Sequence, residues 1–147
     1  MTLPRTPSFR LDGRRALAAG ASSGIGRACA VALAEAGAAV TLAGPPTMIP
    51  HGIEEMGARV APGVEAAMEG ADVIMMLRIQ LERMSGGFLP TLREYFRRFG
   101  LTEERARRAK KDVLIMHPGP LNRGVEIASE VADGPYSVIL NQVTNGV

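Results

Sequence analysis

Short apolar runs alternate with segments of helical periodicity along most of this chain. The runs that predict strands are 15–19, 39–43, 58–61, 72–77 and 113–116. Helical spacing predicts helices at 24–36, 50–56, 64–69, 91–99, 102–110 and 135–147. The run 72–77 is apolar at every position after Asp72, which is typical of a strand covered on both faces. The pattern therefore predicts regularly alternating strands and helices.

This alternation predicts an α/β fold, because consecutive strands joined by helices form a parallel sheet with right-handed crossovers. We expect a doubly wound, Rossmann-like αβα sandwich whose five parallel strands lie in the order 3-2-1-4-5. The 147 residues are enough for a single such domain, with residues 1–12 as an irregular lead-in that contains two prolines.

Composition and charge limit the partners and the compartment that this domain is expected to have. The hydrophobic content is 46% and the net charge is +2, and the basic residues of 93–111 are interspersed with glutamates. Mixed signs and few aromatics favour a solvated helical face over a nucleic-acid surface. No apolar run is long enough to span a bilayer, and the lone Cys29 excludes an internal disulfide. We expect a cytoplasmic (recombinant) protein with no metal, nucleic-acid or membrane partner.

A glycine-rich segment lies between the first predicted strand and the first predicted helix. Its candidate binding residues are Gly20, Ser22, Ser23, Gly24, Ile25 and Gly26. In this position a glycine turn brings backbone N–H groups and a helix N-terminus close to a phosphate. Two interpretations stay open: the loop binds phosphate, or its glycines only shape the turn.

The segment 11–28, which contains Ala19-Gly20-Ala21-Ser22-Ser23-Gly24-Ile25-Gly26, resembles the coenzyme loop of short-chain dehydrogenases/reductases. This resemblance implies NAD or NADP as cofactor. The catalytic Tyr-x-x-x-Lys pair of that family is absent, because Phe99 and Leu140 stand four residues after the two tyrosines. Gly44-Pro45-Pro46 also occupies the position of the ribose-binding carboxylate. We therefore expect only weak dinucleotide binding, carried by the phosphates.

Residues from about 40 to 147 resemble the aspartate-binding domain of aspartate carbamoyltransferases. The motifs that carry the resemblance are Leu77-Arg78-Ile79-Gln80, His117-Pro118-Gly119-Pro120 and Gln142-Val143-Thr144-Asn145-Gly146-Val147. The resemblance implies that Arg78 and Gln80 hold the aspartate carboxylates and that Pro118 and Gly119 line the pocket. His117 has no evident carboxylate partner in the sequence, which favours a turn residue over a general base.

The two resemblances change over inside the second predicted strand. This seam favours an engineered chimera, with residues 13–43 from a dehydrogenase and 44–147 from a carbamoyltransferase. Because neither parental active site is complete, we expect a scaffold without catalytic residues or enzyme activity. Weak NAD(P) or phosphate binding at the glycine loop and residual aspartate binding are the alternatives. Surface left bare by a missing domain predicts a homo-oligomer.

Overall fold

The computed structural model describes residues 8–21, 24–43, 58–79 and 91–146. Its strands are β1 (Arg15–Ala19), β2 (Ala39–Ala43), β3 (Arg59–Val60), β4 (Val73–Met75) and β5 (Leu114–Met116). Its helices are α1 (Gly24–Glu35), α2 (Val64–Met68), α3 (Leu92–Phe99), α4 (Glu103–Ala106), α5 (Ser129–Ala132) and α6 (Ile139–Asn145). The helix predicted at 50–56 and the loop predicted at 80–90 lie outside the described residues.

The strands form one all-parallel sheet in the order β3-β2-β1-β4-β5, so the predicted topology is confirmed. β1 lies at the centre, paired with β2 on one side and β4 on the other. In parallel sheets all strands end at the same edge, so the segments after β1, β4 and β5 lie side by side.

Alternate residues of the strands point into two separate cores. Ala16 and Ala18 of β1 pack with Ala30 of α1, on one face of the sheet. Leu17 and Ile74 pack on the other face, in a cluster that includes residues of α2, α4, α5 and α6. The central strand β1 is therefore covered on both faces, as its apolar run predicts, whereas both residues of the edge strand β3 are exposed.

The observed helices differ from the predicted ones in three main respects. Helix α4 ends at Ala106 rather than at residue 110. The terminal helix begins at Ile139 rather than at residue 135, because Ser137 forms a bridge with Ile115 and extends the sheet edge. The short helix Ser129–Ala132 was not predicted at all. Four residues are too few for helical periodicity to appear in a sequence.

The amino edge of the sheet is held by Asp72, which is 7% exposed. Its carboxylate accepts hydrogen bonds from Lys110 Nζ (2.8 Å), the Arg15 amide (2.9 Å) and Arg14 Nη1 (2.9 Å). Burial disfavours the charged carboxylate, but these donors outweigh burial and lower the pKa of Asp72 to about 2. Asp72 is therefore ionised wherever the protein is folded near neutral pH.

Arg105, only 13% exposed, holds the end of α3. Its guanidinium donates to the carbonyls of Gly100 (2.7 Å) and Arg97 (2.8 Å), where the helix leaves carbonyls without intrahelical partners. It also donates to Glu65 Oε1 at 2.8 Å, which links α3 and α4 to α2. Arg105 is therefore a cap and a cross-link at once.

Within the described ranges, none of the helices has the length and apolar character that crossing a lipid bilayer requires.

The substitution Asp72→Asn tests whether the ionised Asp72 carboxylate stabilises the fold in a pH-dependent way. A carboxyl whose pKa is lower in the folded than in the unfolded state stabilises the fold above the unfolded pKa, and this contribution is lost as pH falls through the folded pKa. At neutral pH we expect the substitution to lower the free energy of unfolding by about 1–2 kcal/mol, after allowance for the partly exposed cations. The difference from the wild type should shrink as pH falls from about 4 to about 2.

Denaturant unfolding across this pH range measures the difference. Asp133→Asn is the matched control, because Asp133 pairs with Arg123 while 67% exposed and should change stability little. A difference between wild type and Asp72→Asn that stays constant down to pH 2 would contradict the assignment.

Arg105→Ala should lower the free energy of unfolding by about 2 kcal/mol, since the carbonyls of Gly100 and Arg97 at the end of α3 lose their donor. Arg107→Ala is the control: Arg107 pairs with Glu103 at 2.7 Å, but its side chain is 72% exposed. That exposed pair should contribute less than about 0.5 kcal/mol. Equal losses in the two variants, measured by urea unfolding, would show that capping by Arg105 is unimportant.

Candidate functional site

The carboxyl edge of the sheet brings together three segments that carry the predicted site residues. The register pairs Ala18 of β1 with Met75 of β4, and Met75 with Met116 of β5. The glycine turn therefore lies beside the Leu77–Ile79 segment, which lies beside the turn that starts at His117. In doubly wound folds, ligands bind in the crevice at this edge.

The glycine turn between β1 and α1 has positive φ angles at Gly20 (68°) and Gly24 (55°), a conformation that favours glycine. Gly26 is buried, and a Cβ there would clash with Leu77 Cδ1 and lie 2.7 Å from the carbonyl oxygen of Gly20. Glycine at position 26 thus lets α1 approach β4 closely. Ile25 is 64% exposed at the same end of α1. Ser22 and Ser23 lie outside the described residues.

After β4, the chain changes from buried to exposed within three residues. Met76 is buried, Leu77 is half-buried against the glycine turn, and Arg78 is exposed. The Arg78 guanidinium thus lies at the carboxyl edge, next to the crevice. Gln80, its predicted partner in carboxylate binding, lies outside the described residues.

The turn after β5 is folded around a fully buried histidine. The His117 amide donates to Gln142 Oε1 of α6 at 3.0 Å, and Nδ1 of the ring accepts from the Gly119 amide at 3.3 Å. Gly119 has a φ of 127°, and a Cβ there would lie 3.3 Å from Val143 of α6. Pro118 and Gly119 are half-buried, and their role in lining the pocket stays a prediction.

His117 has a carboxylate partner that the sequence did not reveal. Glu126, also fully buried, places Oε1 3.5 Å from His117 Nε2. The same oxygen accepts a hydrogen bond from the Asn122 amide at 2.5 Å. Burial of the Tyr95 side chain, and then the negative charge of Glu126, raise the pKa of Tyr95 to about 12. Histidine and glutamate lie nine positions apart in irregular chain, so no periodicity could indicate this contact.

The described part of the site contains Arg78 and a turn that is fixed by hydrogen bonds. A guanidinium binds a carboxylate through two parallel hydrogen bonds, so a carboxylate ligand fits the exposed Arg78. No group of three His, Cys, Asp or Glu side chains is placed to hold a metal ion in the described ranges. The predicted dinucleotide, NAD or NADP, stays a prediction, because the geometry of the glycine turn alone does not test it.

A protein-family model describes most of this chain. The family is "Aspartate/ornithine carbamoyltransferase, Asp/Orn binding domain", and it matches residues 19–147. The match thus includes the turn Gly20–Gly26 as well as Arg78 and the turn at His117.

Curated relatives agree with this match. The chain is 59% identical over 140 residues to the aspartate carbamoyltransferase catalytic subunit of Desulfosudis oleivorans, covering 94% of this chain and 45% of that protein. It is 60% identical over 111 residues to that of Desulforapulum autotrophicum, covering 76% of this chain and 36% of the relative. The chain therefore spans less than half the length of these relatives.

Solved structures share the fold. An ornithine carbamoyltransferase from Pyrococcus furiosus superposes with a TM-score of 0.78 at 24% identity, covering 92% of this chain and 47% of that one. Aspartate transcarbamoylase from Trypanosoma cruzi, in complex with phosphate, gives 0.72 at 22% identity over 95% and 48%.

These findings overturn the chimera interpretation. An alignment that covers 94% of the chain necessarily includes residues 13–43, the part assigned to a dehydrogenase. Nothing supports a dehydrogenase segment, an oxidoreductase or an engineered fusion. The glycine turn misled because a short turn between strand and helix requires glycine in many doubly wound folds, whatever the family.

The prediction of a non-catalytic scaffold is wrong as well, since relatives 53–60% identical are catalytic subunits of an enzyme. Fold, domain match and identity agree on one assignment. The chain belongs to the aspartate/ornithine carbamoyltransferase family and comprises its Asp/Orn-binding domain.

Proposed function

We propose that this chain is the aspartate-binding part of an aspartate carbamoyltransferase. The observation that carries the proposal is the match of residues 19–147 to the Asp/Orn-binding domain, together with 59% identity to an aspartate carbamoyltransferase catalytic subunit. The likeness to ornithine enzymes is at 19–24% identity and concerns the fold. Aspartate is therefore favoured over ornithine as the ligand.

Charge at the carboxyl edge supports a dicarboxylate ligand. The exposed Arg78 guanidinium suits one carboxylate of aspartate through a bidentate contact. Gln80 is proposed to bind the ligand beside it, as the family resemblance implies. Ornithine has one carboxylate and an additional amine, so a site built around a guanidinium matches aspartate better.

The turn at Pro118 and Gly119 is proposed to frame the same ligand. Gly119 takes a φ of 127° and its amide is already used by His117, so the turn is fixed before any ligand arrives. A pre-formed wall loses little conformational freedom on binding. The wall and Arg78 are held on adjacent strands, so a small ligand can contact both.

Carbamoyl transfer needs a carbamoyl donor next to the amino group of the bound aspartate. This chain spans 45% of the length of the Desulfosudis relative. We therefore assign to this chain the binding of aspartate, the acceptor of the carbamoyl group. Its contacts would hold aspartate in a reactive orientation.

The predicted homo-oligomer and the predicted weak binding of NAD or NADP are separate proposals. The relatives are named catalytic subunits, which supports association into a larger assembly. The glycine turn with its positive φ angles is compatible with phosphate contacts, but the family match favours aspartate as the ligand of this edge.

Titration of the ¹⁵N-labelled chain with L-aspartate tests the proposed function. We expect amide shifts to concentrate at Leu77–Ile79 and His117–Gly119, and Arg78→Ala to weaken binding by about tenfold or more, because a charge-assisted bidentate contact is lost. Arg93→Ala, which removes an exposed arginine of α3, should bind as the wild type does.

Ornithine serves as the competing ligand in the same titration. Shifts produced by ornithine and not by aspartate would contradict the choice of ligand. Unchanged aspartate affinity in Arg78→Ala would remove Arg78 from the site.

A further inference from the structure

A side-chain hydrogen bond joins the two segments that flank the proposed ligand. Asn122 lies beyond the turn after β5, and its Nδ2 donates to the carbonyl oxygen of Ile79 at 3.1 Å. Ile79 is the residue between Arg78 and Gln80. Holding this carbonyl restrains the backbone directly after Arg78.

The backbone of Asn122 is itself held by hydrogen bonds to Glu126 and Val125. Its amide donates to Glu126 Oε1 at 2.5 Å, and its carbonyl accepts from the Val125 amide at 3.1 Å, which closes a tight turn. Glu126 is fully buried, and its own carbonyl accepts from the Leu101 amide at 2.9 Å. A half-buried asparagine anchored in this way has little freedom to follow a moving partner.

The same glutamate contacts the histidine that shapes the other wall. Glu126 Oε1 is 3.5 Å from His117 Nε2, and His117 Nδ1 accepts from the Gly119 amide. A continuous series of contacts thus runs from Gly119 through His117, Glu126 and Asn122 to Ile79. It connects the turn after β5 to the segment after β4 independently of the sheet.

This cluster is costly for the fold. Among the described residues, His117 Nε2 and Glu126 Oε2 are buried without a hydrogen-bond partner. Buried polar atoms in this state destabilise a protein by about 1–3 kcal/mol each, and native structures rarely contain them. An apolar pair would fill the same space without that cost, so stability alone does not account for the cluster.

We propose that Asn122 is a positioning residue for the aspartate site, holding the Leu77–Ile79 segment at a fixed distance from the Pro118–Gly119 turn. The inference rests on the proposed function and deepens it. Asn122 acts through the Ile79 carbonyl and not by touching the ligand. Loss of its side-chain donor frees the segment after β4, and the ligand must then order that segment on binding, which lowers affinity.

The test compares Asn122→Ala and Asn122→Leu with the wild-type chain. Both variants remove the donor without adding charge, and leucine keeps the branched heavy-atom arrangement of asparagine, although its side chain is larger. Asn145→Leu makes the same chemical change at an exposed position in the last turn of α6. The readouts are the ¹³C shift of the Ile79 carbonyl in the free protein, the aspartate affinity and the thermal unfolding curve.

We expect the Ile79 carbonyl carbon to move upfield in both Asn122 variants, since it loses a hydrogen bond, and aspartate affinity to fall about tenfold. Unfolding should remain cooperative, and Asn145→Leu should match the wild type in every readout. An altered carbonyl shift with wild-type affinity would show a merely structural contact and overturn the proposal. An unaltered carbonyl shift would overturn it as well.

Failure of the proposed function gives a different result. If the wild-type chain itself gives no aspartate-dependent shifts, the choice of ligand is wrong and the positioning role for aspartate falls with it. The free-protein carbonyl shift would then still report whether Asn122 couples the two segments. The two failures are therefore distinguishable.

Discussion

The buried carboxylate of Asp72 is the interaction on which the arrangement of the sheet depends. Its main chain bonds to Arg15 at the start of β1 and to Leu114 at the start of β5, and its side chain binds donors from both neighbouring segments. A parallel sheet has no hairpins to set its register, so the register must be fixed by contacts between residues distant in sequence. Asp72 supplies such contacts at the amino edge.

The functional edge follows from this register. Because β1, β4 and β5 are aligned at their amino ends, their carboxyl ends bring the glycine turn, Arg78 and the turn at His117 into one row. Gly26 brings α1 close to this row of segments, since the absence of a side chain allows the helix to contact Leu77 directly. The buried ionic contacts of Asp72 lie at one edge of the sheet, and the proposed ligand residues lie at the opposite edge.

Buried polarity has different consequences at these two edges. Asp72 is fully paired with cations and amides, which lowers its pKa to about 2. The His117–Glu126 pair is fully buried, and within the described part of the chain His117 Nε2 and Glu126 Oε2 have no hydrogen-bond partner. Proteins tolerate such local costs where the geometry serves a ligand, provided that the rest of the fold supplies enough stability. Arg105, which caps α3, contributes to the stability of the rest of the fold.

The sequence predicted the fold in detail and the site only in part. The apolar runs were sufficient to locate the five strands, and their alternation with helices predicted the doubly wound order. The family resemblance at Arg78 and His117 pointed to the carbamoyltransferase domain, whereas the glycine turn pointed to the wrong family, since its local geometry is common to many βα units.

The sequence by itself determined the alternation of strands and helices and the motifs that end them, because both depend on residues close together in the chain. Only the tertiary structure decided which polar groups meet. The contacts of Glu126 with His117 and of Asn122 with Ile79 join residues 9 and 43 positions apart. Irregular chain connects the first pair, and the second depends on the register of β4 and β5, so no local pattern records either contact.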